Sequence, residues 1–127
     1  MIRTFAPVIE KNGGGSILNI LSVLSWINIG EGGAYSAAKC AQWEVTKALR
    51  LELAAKNVRV AGLHVAFIDT DMTAGIHAPK LSPKDISRTA IDGIEADLYE
   101  IVADATSREV QQGLAGGVPS LYPHLFQ

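Results

Sequence analysis

The spacing of apolar positions changes several times along this chain, and each change marks an element. Ile2 to Lys11 predicts a short helix, which the Asn12 to Gly15 turn ends with residues that accept positive φ at little cost. Ser16 to Leu21 is a continuous apolar run of strand length, the pattern of a strand covered on both faces. Ser22 to Gly33, with three glycines, then predicts a loop.

A longer helix and a second strand follow this loop. From Ala34 to Lys56 the small and apolar residues recur at spacings of three and four, which indicates a helix with a closely packing stripe: Ala34, Ala38, Ala41, Val45, Ala48 and Leu49. Asn57 is suited to a left-handed stop, and Val58 to Val65 is a second buried-strand candidate. Strand, helix and strand in this order predict a βαβ unit with parallel pairing and a right-handed crossover.

The last third of the chain begins with a loop or short helical segment over Ala66 to Leu81. Ser82, Pro83 and an acid at position 85 predict a helix start, and this helix should run to about Ala96. Tyr99 to Val102 predicts a third strand, and Asp104 caps a helix to about Leu114, before a tail that contains glycine and proline. The order α-β-α-β-α-β-α predicts an α/β layered architecture, and no linker divides residues 1–127.

Composition removes several classes of partner and compartment. A net charge of −2 over 127 residues offers no general attraction for nucleic acid or an anionic membrane surface. No apolar run approaches the length of a membrane span, and the first residues lack a signal-peptide pattern. The single cysteine, Cys40, cannot form an internal disulfide. We therefore expect no nucleic acid, no membrane and a reducing, cytoplasmic location.

Three short segments carry the candidate chemistry. Tyr35 and Lys39 lie four residues apart near the start of the long helix, so both project from one face, where an ammonium group favours the phenolate form of tyrosine. Ser22 ends the first strand, 13 positions before Tyr35. Asp69 to Met72 leaves the second strand, and ligands of open parallel sheets bind outside the carboxyl ends of the strands. All three segments are thus predicted to border one crevice.

This combination resembles the C-terminal half of a short-chain dehydrogenase/reductase, the Rossmann-fold family with a Ser and Tyr-x3-Lys active site. The resemblance runs from the first helix and the Gly13 to Ile20 segment through Phe67 to Met72, and it is weakest after about Leu81. It implies a Rossmann-like, doubly wound parallel sheet of which this chain holds the C-terminal portion only. Residues 1–127 would then form a single partial domain that lacks the N-terminal nucleotide-binding units.

The resemblance also implies a role for each matching residue. Tyr35 would be the general acid/base, Lys39 would assist it and bind the nicotinamide ribose, and Ser22 would orient and polarise the substrate oxygen. The implied cofactor is NAD or NADP, with Ile68 and Thr70 against the nicotinamide carboxamide. The substrate would be a small carbonyl or alcohol, with Trp26 as a candidate contact.

Departures from the family pattern support a second hypothesis. Val65-Ala66 stands where Pro-Gly is common, Leu21 replaces a second serine, and the glycine-rich pyrophosphate turn is absent. Gly13 to Gly15 cannot replace that turn, because it precedes a strand instead of following one. The alternative to an oxidoreductase is a non-catalytic truncated fragment that binds no cofactor and associates through its helices. In either case the family implies a homo-oligomer through helices 2–11 and 34–56, and a shortened sheet would leave an exposed strand edge.

The remaining polar and aromatic candidates have simpler interpretations. The histidines at 64, 77 and 124, with Asp69 and Asp71, have no spacing typical of a metal site, and we interpret them as loop or capping residues. Cys40 is expected to be packed and inert, and Trp43 to serve packing or subunit contact. The substrate and the choice between NAD and NADP remain open at this point.

Overall fold

A three-stranded parallel sheet forms the centre of the chain. The computed structural model describes residues 1–30 and 32–127, so Glu31 in the predicted 22–33 loop lies outside the described residues. The strands are β1 (Gly15–Ile20), β2 (Val58–His64) and β3 (Glu100–Val102), in the order β1-β2-β3. Gly15 to Ile20 pairs with Val58 to Leu63, and Gly62 to His64 pairs with β3, all in parallel. The predicted parallel α/β architecture is confirmed.

Helices fill the connections between the strands. They are α1 (Ile2–Lys11), α2 (Gly33–Leu53), α3 (Pro83–Glu95), α4 (Ala105–Gly113) and α5 (Gly117–Leu121). One-turn 3₁₀ segments follow β1 at 23–25, α2 at 54–56, β2 at 71–73 and α4 at 114–116, and another closes the chain at 123–126. The sequence-based boundaries agree within a few residues, except that the tail contains the additional helix α5. Within the described residues, no helix is long and apolar enough to cross a membrane.

Both faces of β2 are covered, because its side chains alternate between two apolar clusters. Ala61, Leu63 and Val65 pack with Ile86 and Ala90 of α3 and with Ile101 of β3. Val58 and Val60 point the other way and pack with Ala6 of α1 and Leu53 of α2. Helices therefore lie on both sides of the sheet, and β2 is the buried strand that its apolar run predicts, with Arg59 partly exposed.

The prediction that β1 is covered on both faces is wrong. Its residues are partly buried or exposed, and the side chain of Ile20 is 46% exposed. The reason is its place in the sheet: among the described residues it pairs with β2 alone, so Ile17 and Leu18 pack only partly buried against the clusters on the two faces. Within the described residues, one edge of β1 is accordingly left without a paired strand.

The predicted stripe of α2 lies mostly on the surface of this chain, although Leu49 packs partly buried against the apolar cluster beneath the helix. The helix forms as expected, but Ala34, Ala38, Ala41 and Ala48 are exposed and Val45 is 53% exposed. The buried side of α2 carries Ser36, Thr46 and Leu53 instead. Thr46 is fully buried because its hydroxyl donates to Gln42 O (2.7 Å) and accepts from Asn19 Nδ2 of β1 (2.9 Å). The Thr46 hydroxyl is thus satisfied on the buried side of α2, whereas the alanines of the predicted stripe lie on the surface.

The predicted helix caps are confirmed at two of three positions. Asn57 adopts the left-handed conformation (φ 56°), and Asp104 accepts from Ser107 N at 2.9 Å. The second Asp104 oxygen also accepts from Ala66 N at 2.9 Å, which links α4 to the end of β2. Ser82 precedes α3 as expected, but its exposed side chain makes no capping hydrogen bond.

Candidate active site at the carboxyl ends of the strands

Ser22 is held where β1 passes into a one-turn 3₁₀ helix. The pairing with β2 continues on either side of it, because Leu21 N donates to Leu63 O (2.8 Å) and Val23 N to Val65 O (3.0 Å). Ser22 Oγ accepts from Leu24 N at 3.1 Å, and the residue is 7% exposed. Since this bond uses an acceptor position of the hydroxyl, its hydrogen remains available for donation to a ligand oxygen.

Tyr35 and Lys39 occupy the first turns of α2, and Lys39 reaches back to β1. Lys39 Nζ donates to Ile20 O (2.8 Å) and to Gln42 Oε1 (3.3 Å), and it lies 5.7 Å from the centroid of the Tyr35 ring. Ile20 is two residues before Ser22, so the ammonium group lies at the same strand end as the serine. The Tyr35 side chain is 42% exposed.

Burial lowers the pKa of Lys39 from its ordinary value, because a partly desolvated ammonium group loses some of its hydration. Two oxygen acceptors nevertheless hold Nζ in place. An ammonium group fixed beside a phenol is the arrangement that stabilises a phenolate during proton transfer.

Ile68 and Thr70 lie on the loop that follows β2, and its backbone is held by contacts within the loop itself. Asp69 N donates to Leu81 O (2.9 Å) and Leu81 N to Phe67 O (2.8 Å), a short parallel bridge that closes the 68–81 segment. Thr73 Oγ1 donates to Ile68 O (2.6 Å) and accepts from Thr70 N (3.2 Å). Thr70 itself is exposed to solvent, while these hydrogen bonds hold the backbone of the loop in place.

The sequence interpretation missed a buried polar cluster behind Ser22. His64, the last residue of β2, is fully buried, and the Trp26 ring stacks on it at 3.8 Å between centroids and 15° between planes. Trp43 meets the same ring edge-on at 5.9 Å, which confirms its packing role. The interpretation of His64 as a loop or capping residue is wrong. The available signal was a histidine inside an apolar strand run.

Glu100 of β3 completes this cluster. Its carboxylate accepts from His64 Nε2 (2.7 Å), Arg50 Nη1 (3.0 Å) and Trp43 Nε1 (3.2 Å). Burial by itself raises the pKa of Glu100, but the hydrogen bonds from His64, Trp43 and Arg50 and the electrostatic interaction with His64 outweigh it. The net effect lowers the pKa of Glu100, so the ionised carboxylate is the favoured form.

Trp26 and Cys40 lie in surroundings that the sequence did not indicate. The stacking on His64 occupies a face of the Trp26 ring, and its role as a substrate contact stays a prediction. Cys40 is exposed, so the expectation of a packed thiol is wrong, because this side of α2 faces solvent.

Across residues 1–30 and 32–127, no group of three or more His, Cys, Asp or Glu residues could hold a metal ion.

A cavity of about 540 Å³ adjoins the loop between Ser22 and Tyr35. The C-terminal segment forms one wall with Leu121, Tyr122 and His124, and residues 27–30 form the other. Tyr122 Oη accepts from Asn28 N at 2.8 Å, which ties the two walls together. The end of the chain therefore supports the loop that leads to Tyr35.

Comparison with known protein families decides which class this arrangement belongs to. The family model described as short chain dehydrogenase matches residues 1–81, which include Ser22, Tyr35, Lys39, Ile68 and Thr70. The chain belongs to the short-chain dehydrogenase family. The resemblance inferred from the serine, the Tyr-x3-Lys pair and the loop after β2 is confirmed.

Relatives within this family match only part of their own length. An uncharacterized oxidoreductase of Staphylococcus saprophyticus is 30% identical over 112 residues, which are 86% of this chain and 48% of the relative. The 7alpha-hydroxysteroid dehydrogenase of Escherichia coli K12 is 33% identical over 86 residues, 68% of this chain and 34% of the enzyme. The chain thus spans about half or less of these curated family members.

A solved family structure has the same arrangement of elements. A short chain dehydrogenase from Burkholderia cenocepacia, crystallised in complex with NADP, superposes with a TM-score of 0.92 at 31% identity. The match covers 100% of this chain and 53% of that chain. The fold is therefore the Rossmann-like α/β fold of the short-chain dehydrogenases, present here in part.

Proposed function

We propose that this chain forms the catalytic half of an NAD(P)-dependent oxidoreductase that interconverts a small alcohol and its carbonyl compound. The observation that carries the proposal is the meeting of Lys39 with the end of β1, two residues from Ser22 and one helical turn from Tyr35. The similarity to a dehydrogenase crystallised with NADP supports the choice of cofactor class.

Each of the three side chains would serve a step at the substrate oxygen. When bound, the nicotinamide ring supplies or accepts the hydride. The free hydrogen of the Ser22 hydroxyl donates to the substrate oxygen, where negative charge develops during carbonyl reduction. Tyr35 Oη delivers the proton to that oxygen, and Lys39 stabilises the phenolate that remains. In alcohol oxidation the same proton moves in the opposite direction.

The residues at the nicotinamide end fit this cofactor. Lys39 and Thr70 carry exposed or partly exposed donors at the ends of neighbouring strands, and Ile68 lies on the braced loop beside them. Ala66 stands where glycine is common, and its backbone N–H is already bonded to Asp104. We therefore place Lys39, Thr70 and Ile68, rather than the backbone at Ala66, against the nicotinamide half.

Calorimetric titration of NADH and NADPH against the 127-residue chain tests cofactor binding directly. We expect heat of binding from at least one cofactor, and about a tenfold weaker Kd for Lys39→Met, since a charged hydrogen bond to the ribose contributes roughly 1.5–3 kcal/mol. Lys84→Met on α3 is the matched control and should bind as the parent chain does. No heat from either cofactor would favour the alternative, a fragment that associates without binding NAD(P).

The surface of α1 and α2 favours self-association, which we propose as the partner contact of this chain. A groove of about 730 Å³ lies between these helices and is lined by Ile2, Val45, Leu49 and Leu53 among others. The exposed alanine stripe of α2 adjoins it, and small residues allow close helix packing. The cytoplasmic location stays a prediction from the sequence.

Sedimentation equilibrium of two aspartate variants tests this contact. Val45→Asp, at a half-exposed position beside the groove, should shift a dimer towards monomer by at least about tenfold in Kd, because a charge would be desolvated at the interface. Leu51→Asp changes an 82% exposed residue on another face of α2 and should leave the oligomeric state unchanged. A monomeric parent chain, or equal effects of the two variants, would refute this contact.

A further inference from the structure

The hydroxyl of Ser25 links the backbone of Ser22 to the buried His64. Ser25 Oγ donates to Ser22 O and accepts from Ser22 N at 3.4 Å, so it contacts both polar backbone groups of that residue. The same oxygen lies 3.4 Å from His64 Nδ1. Ser25 is 4% exposed and His64 is 0% exposed, so bulk water does not compete for these contacts.

The orientation of His64 is fixed from its other side. Its Nε2 meets Glu100 Oε2 at 2.7 Å, and the carboxylate is itself aligned by Arg50 and Trp43. Stacking on Trp26 fixes the plane of the ring. With Nε2–H donating to the carboxylate, the second ring nitrogen is directed at Ser25. Nε2 of His64 is therefore held by Glu100, and Nδ1 is the ring nitrogen that contacts Ser25.

The single hydroxyl hydrogen of Ser25 determines how this arrangement acts on Ser22. Ser25 has a single hydroxyl hydrogen, and both Ser22 O and His64 Nδ1 are placed to accept it. Where Nδ1 donates to Ser25 Oγ, the Ser25 hydrogen goes to Ser22 O without competition, and where Nδ1 accepts, the two acceptors share that hydrogen. In both arrangements His64 acts on the hydroxyl that contacts both polar backbone groups of Ser22.

We propose that His64 is a positioning residue for Ser22, acting through Ser25. It fixes the extended backbone of Ser22 (φ −155°, ψ 157°), from which the side-chain oxygen accepts the Leu24 N–H. This inference rests on the proposed function, because it assigns to Ser22 the donor role at the substrate oxygen. A hydroxyl displaced by a fraction of an ångström loses much of its effect on developing charge.

Two amide substitutions separate positioning from mere packing. In His64→Asn the new side-chain amide would replace Nδ1 and keep a donor towards Ser25, whereas His64→Gln places its amide near the Nε2 position and keeps the contact with Glu100. Both variants remove the ring and its stacking on Trp26, so they share the loss of packing. Ser25→Ala removes the link itself.

Amide hydrogen exchange of the 127-residue chain provides the readout. The Leu24 amide reports the bond to Ser22 Oγ, and the Gly62 amide, bonded to Tyr99 O at 2.9 Å, reports the stability of the sheet. We expect exchange at Leu24 relative to Gly62 to rise about tenfold in Ser25→Ala and His64→Gln, and less than about threefold in His64→Asn. Equal ratios in the two His64 variants, or no rise in Ser25→Ala, would overturn the proposal.

Turnover separates this proposal from the function on which it rests. The test uses a version of the protein that also carries the nucleotide-binding half. In it, His64→Gln and Ser25→Ala should lower kcat about tenfold relative to the parent without raising KM, whereas His64→Asn should keep a kcat close to that of the parent. Ser22→Ala tests the function alone. Full turnover in Ser22→Ala together with the expected exchange pattern would refute the catalytic role of Ser22 while supporting the control of its backbone by His64.

Discussion

Replacing Tyr35 by phenylalanine is expected to lower kcat by about 10²–10⁴-fold, the usual contribution of a positioned general acid or base. The substitution removes Oη alone. The ring stays in place at 5.7 Å from Lys39 Nζ, so the ammonium group and its bond to Ile20 O are retained. Cofactor affinity should therefore remain within about threefold of the parent value, since the lost group acts on the substrate oxygen.

The measurement is NADPH- and NADH-dependent reduction of a panel of small ketones and aldehydes. It requires a version of the protein that includes the nucleotide-binding half of the fold, because the chain spans 53% of the NADP-bound dehydrogenase it matches. Tyr99→Phe is the matched control. The Tyr99 ring packs against Arg50 and Arg59, and Tyr99 is distant in the sequence from Ser22, Tyr35 and Lys39. Equal kcat in Tyr35→Phe and the parent protein would show that Tyr35 does not transfer the proton.

Much of the site was predictable because its parts are local in the sequence. The Tyr35 and Lys39 pair depends on helical spacing, and the position of Ser22 depends on the end of an apolar strand run. Parallel strands bring their carboxyl ends to one edge, which places the loop after β2 beside them. Strand pairing and helix periodicity were therefore enough to predict that Lys39 lies at the end of β1, whereas the contact of the loop after β2 with Lys39 and Ser22 stays a prediction.

The His64 cluster could not be predicted in this way, because its members come from four separate elements. His64 ends β2, Glu100 begins β3, Arg50 and Trp43 lie on α2, and Trp26 follows the turn after β1. No spacing within one element links them, since sequence separations such as 36 residues between His64 and Glu100 have no periodic meaning. The contact between His64 and Glu100 becomes visible only once β2 and β3 are paired in register.

The alanines of α2 lie on the surface for a related reason. Apolar periodicity identifies an inner face only when the inner contacts are apolar, whereas α2 contacts β1 through the Thr46 to Asn19 hydrogen bond. Its alanines were free to lie on the outside, where they suit contact with another copy of the helix. The pattern located the helix correctly, and of the predicted stripe Leu49 packs partly against the apolar cluster while the alanines lie on the surface.

The second large effect is expected for Glu100→Gln, which should lower the free energy of unfolding by about 2–3 kcal/mol at pH 7. The carboxylate accepts from His64, Arg50 and Trp43, and one side chain of this group, His64, is fully buried. An amide keeps one acceptor oxygen and directs an N–H group at a donor, so at least one buried donor loses its partner. Chemical denaturation measures the difference, with Glu109→Gln on the exposed side of α4 as the control.

The pH dependence of this effect follows from the lowered pKa of Glu100. A carboxyl group with a depressed pKa in the folded state binds fewer protons there than in the unfolded chain, so its stabilisation is fully present above the ordinary value of 4.5. The stabilisation is lost as the pH falls through the folded-state value. The difference between the parent and Glu100→Gln should thus be constant above about pH 5.5 and shrink below about pH 4.5. A difference that stays the same down to about pH 3 would show that the charge of Glu100 does not stabilise the cluster. Packing of the aromatic rings would then account for the stability of the cluster.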